Sequence, residues 1–461
     1  MIQASPENNY AMIIHMASNE LLNQVLAASQ AGERVSLAAE LEAALSVGDL
    51  RWLNAAAAQA EAAELPLYLV GGVVRDLLLG RPVKDFDVVV EGDAIALGQR
   101  LVRELGGRLT SHRRFGTAVW HVENGDGADA ELPAAIDLIS ARRERYAYPG
   151  ALPEVGSGDI QQDLLRRDFS INTLALRLDG RHFGRLLDPL GGLADLAAGQ
   201  LRVLHDRSFI DDPTRILRIL RFAARLDFEI EARTATWLGA ALPGLTEISG
   251  ERVRNELNAI LAEDSRTKTL AMAEELGVLA AIQPALRFDA TMAASLERLP
   301  DAIDAVWALD AMARHDLAYL LWLRHLPTED GLALAVQLRL PQRVSEALVA
   351  WTGLAERLPL LLAAAPSEVV QALESAPDLA LVALALESDN DGLRKLLATY
   401  AGNWRHVRPS LNGHDLRRRG LEPGPRYGQI LARLRAAWLD GQVTSPDEER
   451  ALLDQLVAAD D

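Results

Sequence analysis

Between Leu67 and Ile139 the chain carries four short apolar runs, Leu67–Val70, Asp87–Val90, Thr117–Trp120 and Ile136–Ile139, separated by Gly, Asp and Asn. Rich in β-branched or aromatic residues, they predict strands. Among them, Asp93–Leu105 repeats its apolar positions at helical spacing. Past roughly Leu201 no further strand is expected. The remainder reads as amphipathic helices punctuated by Pro243, Gly277, Pro284, Pro327, Pro341, Pro366 and Pro377. Residues 1–64 read as a helical, Ala/Glu-rich extension that serves as a packing appendage. The expected fold class is therefore α+β, a sheet-bearing head ahead of a long helical body.

Composition narrows the chemistry. A chain of 461 residues suggests about two to four domains. It contains no Cys, which removes disulfides, thiolate metal sites and cysteine nucleophiles together. Asp+Glu number 65 against 47 Lys+Arg, a formal charge of −18, so a uniformly basic nucleic-acid coat is excluded and any polyanion must meet local patches. Apolar runs such as Leu379–Leu386 are less than half the ~20 residues a bilayer crossing needs. No Lys or Arg precedes Arg34, so the basic lead-in of a secretory signal is missing. The expectation is a cytoplasmic protein with no membrane partner and no specified protein partner.

Three acids and a glycine pair carry the candidate chemistry. The Leu67–Val70 run leads straight into Gly71-Gly72 and a helix start, a turn where backbone can approach a ligand and free N–H groups favour an anion such as a triphosphate. Arg75 lies on the first turn. Asp85 and Asp87 sit two residues apart in a strand-like run, so both carboxylates leave one face with Phe86 on the other. Paired carboxylates repel unless a cation lies between them, and hard oxygen ligands suit Mg²⁺. Asp137, in another strand-like run, would complete a two-metal phosphoryl-transfer site and activate the attacking hydroxyl.

The spacing Gly71-Gly72-x-x-Arg75-Asp76, then Asp85-x-Asp87, resembles the opening motif of class II tRNA nucleotidyltransferases and the bacterial poly(A) polymerases related to them. Asp163–Asn172 is similar to the family's second motif, Leu187–Asp195 to its third, and Asp211-Asp-Pro-Thr-Arg215 to its nucleotide-reading motif, with Arg218 and Arg221 following in order. The resemblance implies a polymerase-β-like head with a small mixed sheet, then an all-α neck, body and tail. It divides the chain at 1–64, 65–200 (catalytic head), 201–265 (neck, base recognition), 266–400 (body) and 401–461 (tail, tRNA binding). It also implies that Asp85 and Asp87 hold Mg²⁺ and that Gly71, Gly72, Arg75 and Arg167 hold the triphosphate. Asp168 and Asn172 then help at the ribose.

For the base, a carboxylate accepts from an amine and a guanidinium donates to a ring nitrogen. An Asp212/Arg215 pair, three residues apart at a helix start, accepts C and A and rejects U and G, a protein template for CTP and ATP. Arg215, Arg218, Arg221 and Arg225 share one helix face, which suits triphosphate and RNA phosphate. Two departures stand out: Asp211 replaces the family's usual Glu, and Arg142–Asp159 occupies the place of the family's flexible loop at near-full length, which argues against CC-only addition. Leu411–Leu416, Gly420, Pro423–Pro425 and Gly428–Leu431 resemble the element that holds the tRNA elbow. Eight Arg face two acids from Arg405 to Arg435. His315-Asp316 belongs to a body helix, because the His-Asp phosphohydrolases need a closer upstream His than His205. The expected function is Mg-dependent addition of C and/or A to the tRNA 3′ end, full CCA or terminal A in preference to CC alone. The alternatives are a poly(A) polymerase and a non-catalytic RNA-binding protein on the same scaffold.

Overall fold

The computed structural model describes residues 20–83, 86–121, 135–299, 307 and 311–458. Asp85 lies outside them. The chain falls into two compact units, Met1–Ile248 and Ser249–Asp461. Their boundary lies inside the stretch 201–265.

The first unit is built on a seven-stranded sheet. Its strands are β1 (Leu67–Val70), β2 (Asp87–Val90), β3 (Arg108–His112), β4 (Thr117–His121), β5 (Ile136–Ser140), β8 (Ala175–Arg177) and β9 (Arg185–Leu187), in the order β3-β4-β5-β2-β1-β8-β9. Only β2 and β5 run parallel. Their connection carries the Ala94–Leu105 helix, capped by the Asp93 carboxylate, which accepts from the N–H groups of Ile95 and Ala96 at 2.8 and 3.1 Å. Leu97 and Leu101 of that helix are buried. Gly98 lets the helix lie close to the sheet: a Cβ there would stand 2.6 Å from a Leu109 methyl.

Four strands match apolar runs of the sequence, while β3, β8 and β9 do not. The β3 strand is an exposed, polar edge, and β8 and β9 are three residues each, too short to show alternation. Residues 142–157 form a separate antiparallel hairpin of β6 (Arg142–Arg145) and β7 (Glu154–Ser157). The expectation of no strand past Leu201 is corrected by Glu229–Ile230, which pairs in parallel with Gln200–Leu201. That pair is two residues long and carries no pattern a sequence could display.

The described part of the N-terminal extension is helical and packs on the head. Trp52, on the Val47–Ala62 helix, meets Phe86 edge-on at 5.0 Å. Val35–Leu37 adds backbone hydrogen bonds to the β9 edge, Leu186 N–H to the Val35 carbonyl at 3.0 Å and Leu37 N–H to the Gly184 carbonyl at 2.8 Å, covering an edge that would otherwise invite pairing with another chain.

The second unit is helical from Gly250–Leu261 through Pro446–Ala458. His315 and Asp316 lie within the Ala311–Leu323 helix, where buried Asp316 pairs with Arg343. The C-terminal helices enclose a small core of Leu416, Leu421, Ile430, Leu434 and Leu453. The tail's basic excess is smaller than its sequence suggests. Arg405, Arg419 and Arg435 pair with Asp378, Asp454 and Glu374, acids that lie outside the Arg405–Arg435 window. Arg408, Arg417 and Arg433 are exposed. Among the described residues no single helix is long and apolar enough to cross a membrane.

Candidate active site

The strand β1 is buried along its whole length and delivers Gly71 to the end of the sheet. Gly71 sits at φ 75°, a conformation side chains rarely adopt. A Cβ there would lie 2.8 Å from Arg167 Nη1 and 3.9 Å from Asp87 Oδ2. Backbone, guanidinium and carboxylate thus converge on one point. Gly72 opens the Gly72–Leu78 helix.

Asp87 is the first residue of β2, and its Cα partner across the parallel ladder is Asp137 of β5. Partners in register share a sheet face, so the two carboxylates emerge side by side, Asp87 half-buried and Asp137 exposed. The residues that follow them, Val88 and Leu138, are fully buried on the other face. Among the described residues no group of three or more acidic or His side chains forms a metal cage; Asp85, the third acid of the expectation, is not among them. Two hard oxygen donors on one face, beside a glycine turn, fit a divalent cation.

Behind this point lies a hydrogen-bond relay. Arg75 is buried and donates twice to Asp76, at 2.9 and 2.8 Å, and from Nη1 to Asn172 Oδ1 at 2.7 Å. The Asn172 amide donates to Asp168 Oδ1 at 2.9 Å, and Arg218 grips Asp168 Oδ2 with two N–H groups at 3.1 and 2.7 Å. Arg75 and Arg218, expected to meet the nucleotide, are therefore engaged in fixing Asn172 and Asp168. Burial works to raise the Asp168 carboxyl, but Arg218 and the Asn172 amide outweigh it and lower it to about 2. A depressed folded value means stability that is present above the ordinary carboxylate range and lost as pH falls from about 4 through about 2. Urea unfolding across that window is expected to show wild type losing on the order of 2 kcal/mol more than Asp168→Asn.

The second hub is Asp163, whose side chain is 0% exposed. One oxygen accepts from Arg166 Nε and Nη2 at 2.9 and 2.8 Å, the other from Arg167 Nη2 at 3.2 Å. Arg167 Nε is buried with no hydrogen-bond partner, and Nη1 of the same guanidinium is the atom that approaches the Gly71 turn. Spacing signals this hub, since Asp163 stands three and four residues before the two arginines, but sequence reading assigned it no role.

The nucleotide-reading segment differs from expectation. Asp212 lies before the Thr214–Leu226 helix in extended backbone, and its Oδ1 accepts from the N–H and hydroxyl of Thr214 at 3.1 and 2.6 Å. The shared helix face predicted for Asp212 and Arg215 is thus not how they are arranged, because Pro213 starts the helix and excludes Asp212 from it. Arg215 is 5% exposed and donates to Ser208 Oγ at 2.6 Å and to the Arg166 carbonyl at 2.7 Å. The open four-arginine face is corrected as well. Buried Arg215 leaves it, and Arg218, Arg221 and Arg225 gather with Arg75 around the Phe222 ring, 4.5 to 5.9 Å from its centroid.

Against this segment stands the β6–β7 hairpin. Glu144 accepts from Arg142 Nη2 at 2.9 Å, Arg166 Nη1 at 3.3 Å and the Tyr146 hydroxyl at 3.0 Å. Burial, then the Glu144 charge, pushes the Tyr146 phenol up. A cavity of about 240 Å³ lies here, lined among others by Tyr146, Arg166, His205, Asp211 and Arg215. A larger one, about 640 Å³, opens beside Ser140 and Arg142, at the far end of β5 from Asp137, and is not part of this constellation.

A mixed sheet that sets a glycine turn, two register-matched carboxylates and a braced arginine pair at one end describes a nucleotidyl-transfer head. Comparison with known proteins agrees. Residues 67–202 match the poly A polymerase head domain, and residues 227–289 match the probable RNA and SrmB-binding site of polymerase A. An A-adding tRNA nucleotidyltransferase of Halalkalibacterium halodurans is 34% identical over 83% of this chain and 86% of its own. A CC-adding tRNA nucleotidyltransferase of Deinococcus radiodurans is 33% identical over 89% and 94%. The chain spans 44% of the length of an A-adding relative from Geobacter sulfurreducens. The Thermotoga maritima CCA-adding enzyme complexed with tRNA superimposes with a TM-score of 0.68 at 28% identity, over 93% of this chain and 99% of that one. The chain belongs to the family of tRNA nucleotidyltransferases and poly(A) polymerases.

Proposed function

We propose that this chain extends the 3′ end of tRNA without a template, transferring CMP and/or AMP from CTP or ATP, with terminal-A or full CCA addition in preference to CC alone. The observation that carries the reading is the register match of Asp87 with Asp137 beside the Gly71 turn and Arg167. Nucleotidyl transfer needs negative side chains where a cation must sit and positive ones where the triphosphate lies, a few ångströms apart. The relatives named A-adding and CC-adding support transfer to tRNA and leave the choice of base to this chain's own residues.

In this reading Asp85 and Asp87 hold Mg²⁺, which when bound neutralises phosphate charge and lowers the pKa of the RNA 3′-hydroxyl. Asp137 faces the incoming hydroxyl and takes its proton. The 3′ oxygen bonds to the α-phosphorus, the bond to the bridging oxygen breaks, and pyrophosphate leaves. Gly71, Gly72 and Arg167 hold the triphosphate, with Arg75 and Arg221 adding positive charge nearby. Asp168 and Asn172, oriented by Arg75 and Arg218, meet the ribose. Arg215 uses two N–H groups on protein and retains others for a base, with Asp212 as the acceptor.

The poly A polymerase description of the head supports a second reading, A-tailing of RNA generally. Both are tested by incubating protein and Mg²⁺ with tRNA transcripts lacking CCA, ending in C or ending in CC, with CTP, ATP or both, and sequencing the ends. AMP added only after CC marks a terminal-A enzyme, and CCA on every transcript marks full addition. No incorporation on any transcript contradicts the proposal.

A further inference from the structure

The Asp212/Arg215 pair reads an amine beside an unprotonated ring nitrogen, an edge that cytosine and adenine share. It therefore rejects U and G but cannot separate A from C. Separation needs a group that reaches what only the purine has, and the nearest such atom is N7, an acceptor next to the amine. Cytosine carries a C–H there.

The cavity that contains Arg215 also contains His205. Most of its polar lining is already committed. Glu144 is filled by Arg142, Arg166 and Tyr146, Arg166 is held by Asp163 and Glu144, and Asp211 pairs with Arg207. His205 is exposed at this cavity, and its imidazole makes no hydrogen bond among the described residues. Its backbone is tied to the base reader: the His205 carbonyl accepts from Ser208 N–H at 3.2 Å, and Ser208 Oγ accepts from Arg215 Nη1 at 2.6 Å. Burial and then the Arg215 charge lower the imidazole's pKa. That shift favours the neutral ring, which has one N–H to donate and one lone pair.

We infer that His205 is a specificity-determining residue, donating to the purine N7 of a bound adenine and so favouring ATP over CTP at the base reader. This rests on the reading that Asp212 and Arg215 contact the base. His205 shares its cavity with Arg215, so its effect falls on nucleotide choice.

The test compares ATP with 7-deaza-ATP, which replaces N7 by C–H, on a tRNA ending in CC. Wild type is expected to show kcat/KM about 5- to 10-fold lower with the deaza nucleotide, the worth of one neutral hydrogen bond. His205→Ala is expected to use the two nucleotides within about twofold of each other, at wild type's deaza rate, while His205→Gln, which keeps an N–H, regains part of the preference. Equal use of both nucleotides by wild type overturns the inference, as does a His205→Ala loss of equal size on both. The underlying reading is scored separately. If wild type incorporates GTP as readily as ATP, the base reader fails. Failure to add A to this tRNA at all overturns both.

Discussion

Asp87→Asn and Asp137→Asn are each expected to lower nucleotide incorporation by at least about 10³-fold while leaving the thermal unfolding midpoint within a few degrees of wild type. The expected size follows from what the two carboxylates are proposed to do: Asp87 would hold a cation that neutralises charge at the transferring phosphoryl group, and Asp137 would take the proton of the attacking hydroxyl. The expected neutrality toward folding follows from where they sit. Asp137 is exposed and Asp87 half-buried, and the buried residues beneath them are Val88–Val90 of β2 with Ile136 and Leu138 of β5. Removing one of two facing negative charges relieves repulsion in the absence of a cation. Measuring single-turnover AMP transfer alongside calorimetry separates the two effects. A variant that loses activity and stability in proportion would show that the pair is structural.

Asp163→Ala is expected to have the largest effect on stability, about 3–5 kcal/mol, because it leaves the Arg166 and Arg167 guanidiniums without their shared buried counter-charge. The consequence for function is specific. Arg167 Nη1 lies against the Gly71 turn, so its release is expected to raise the KM for ATP and CTP alike, without altering the choice between them. Asp163→Asn keeps the shape and part of the hydrogen bonding and should fall between. Urea unfolding reads the first effect and nucleotide-dependent steady-state kinetics the second. An Asp163→Ala protein with wild-type KM for both nucleotides would contradict the bracing role.

What the sequence displayed and what it hid divide along physical lines. Central strands β1, β2, β4 and β5 announce themselves because burial demands apolar residues, whereas β3 is an exposed edge and β6 is Arg142-Arg-Glu-Arg145, a charged strand of an outlying hairpin. The catalytic end was legible because its turn and acids follow fixed local spacings. Register was not: nothing in the string places Asp137 opposite Asp87, since that depends on a parallel ladder closed across an intervening helix and hairpin. The Glu144 hub draws Arg166 from outside its own strand, whereas Asp163 takes Arg166 and Arg167 at local spacing. The tail's basic run loses three arginines to acids lying outside it. Pro213 misled for a local reason, because a helix start and an i,i+3 pair look alike until the residue before the proline is seen in extended backbone.

The proposed activity is addition of a defined end to tRNA. Its most direct test is the length distribution of product when a CC-ending tRNA and an unstructured RNA ending in CC are each given excess ATP and Mg²⁺. A single added residue is expected on the tRNA and at most trace addition on the unstructured RNA. A ladder of A residues on both would contradict it.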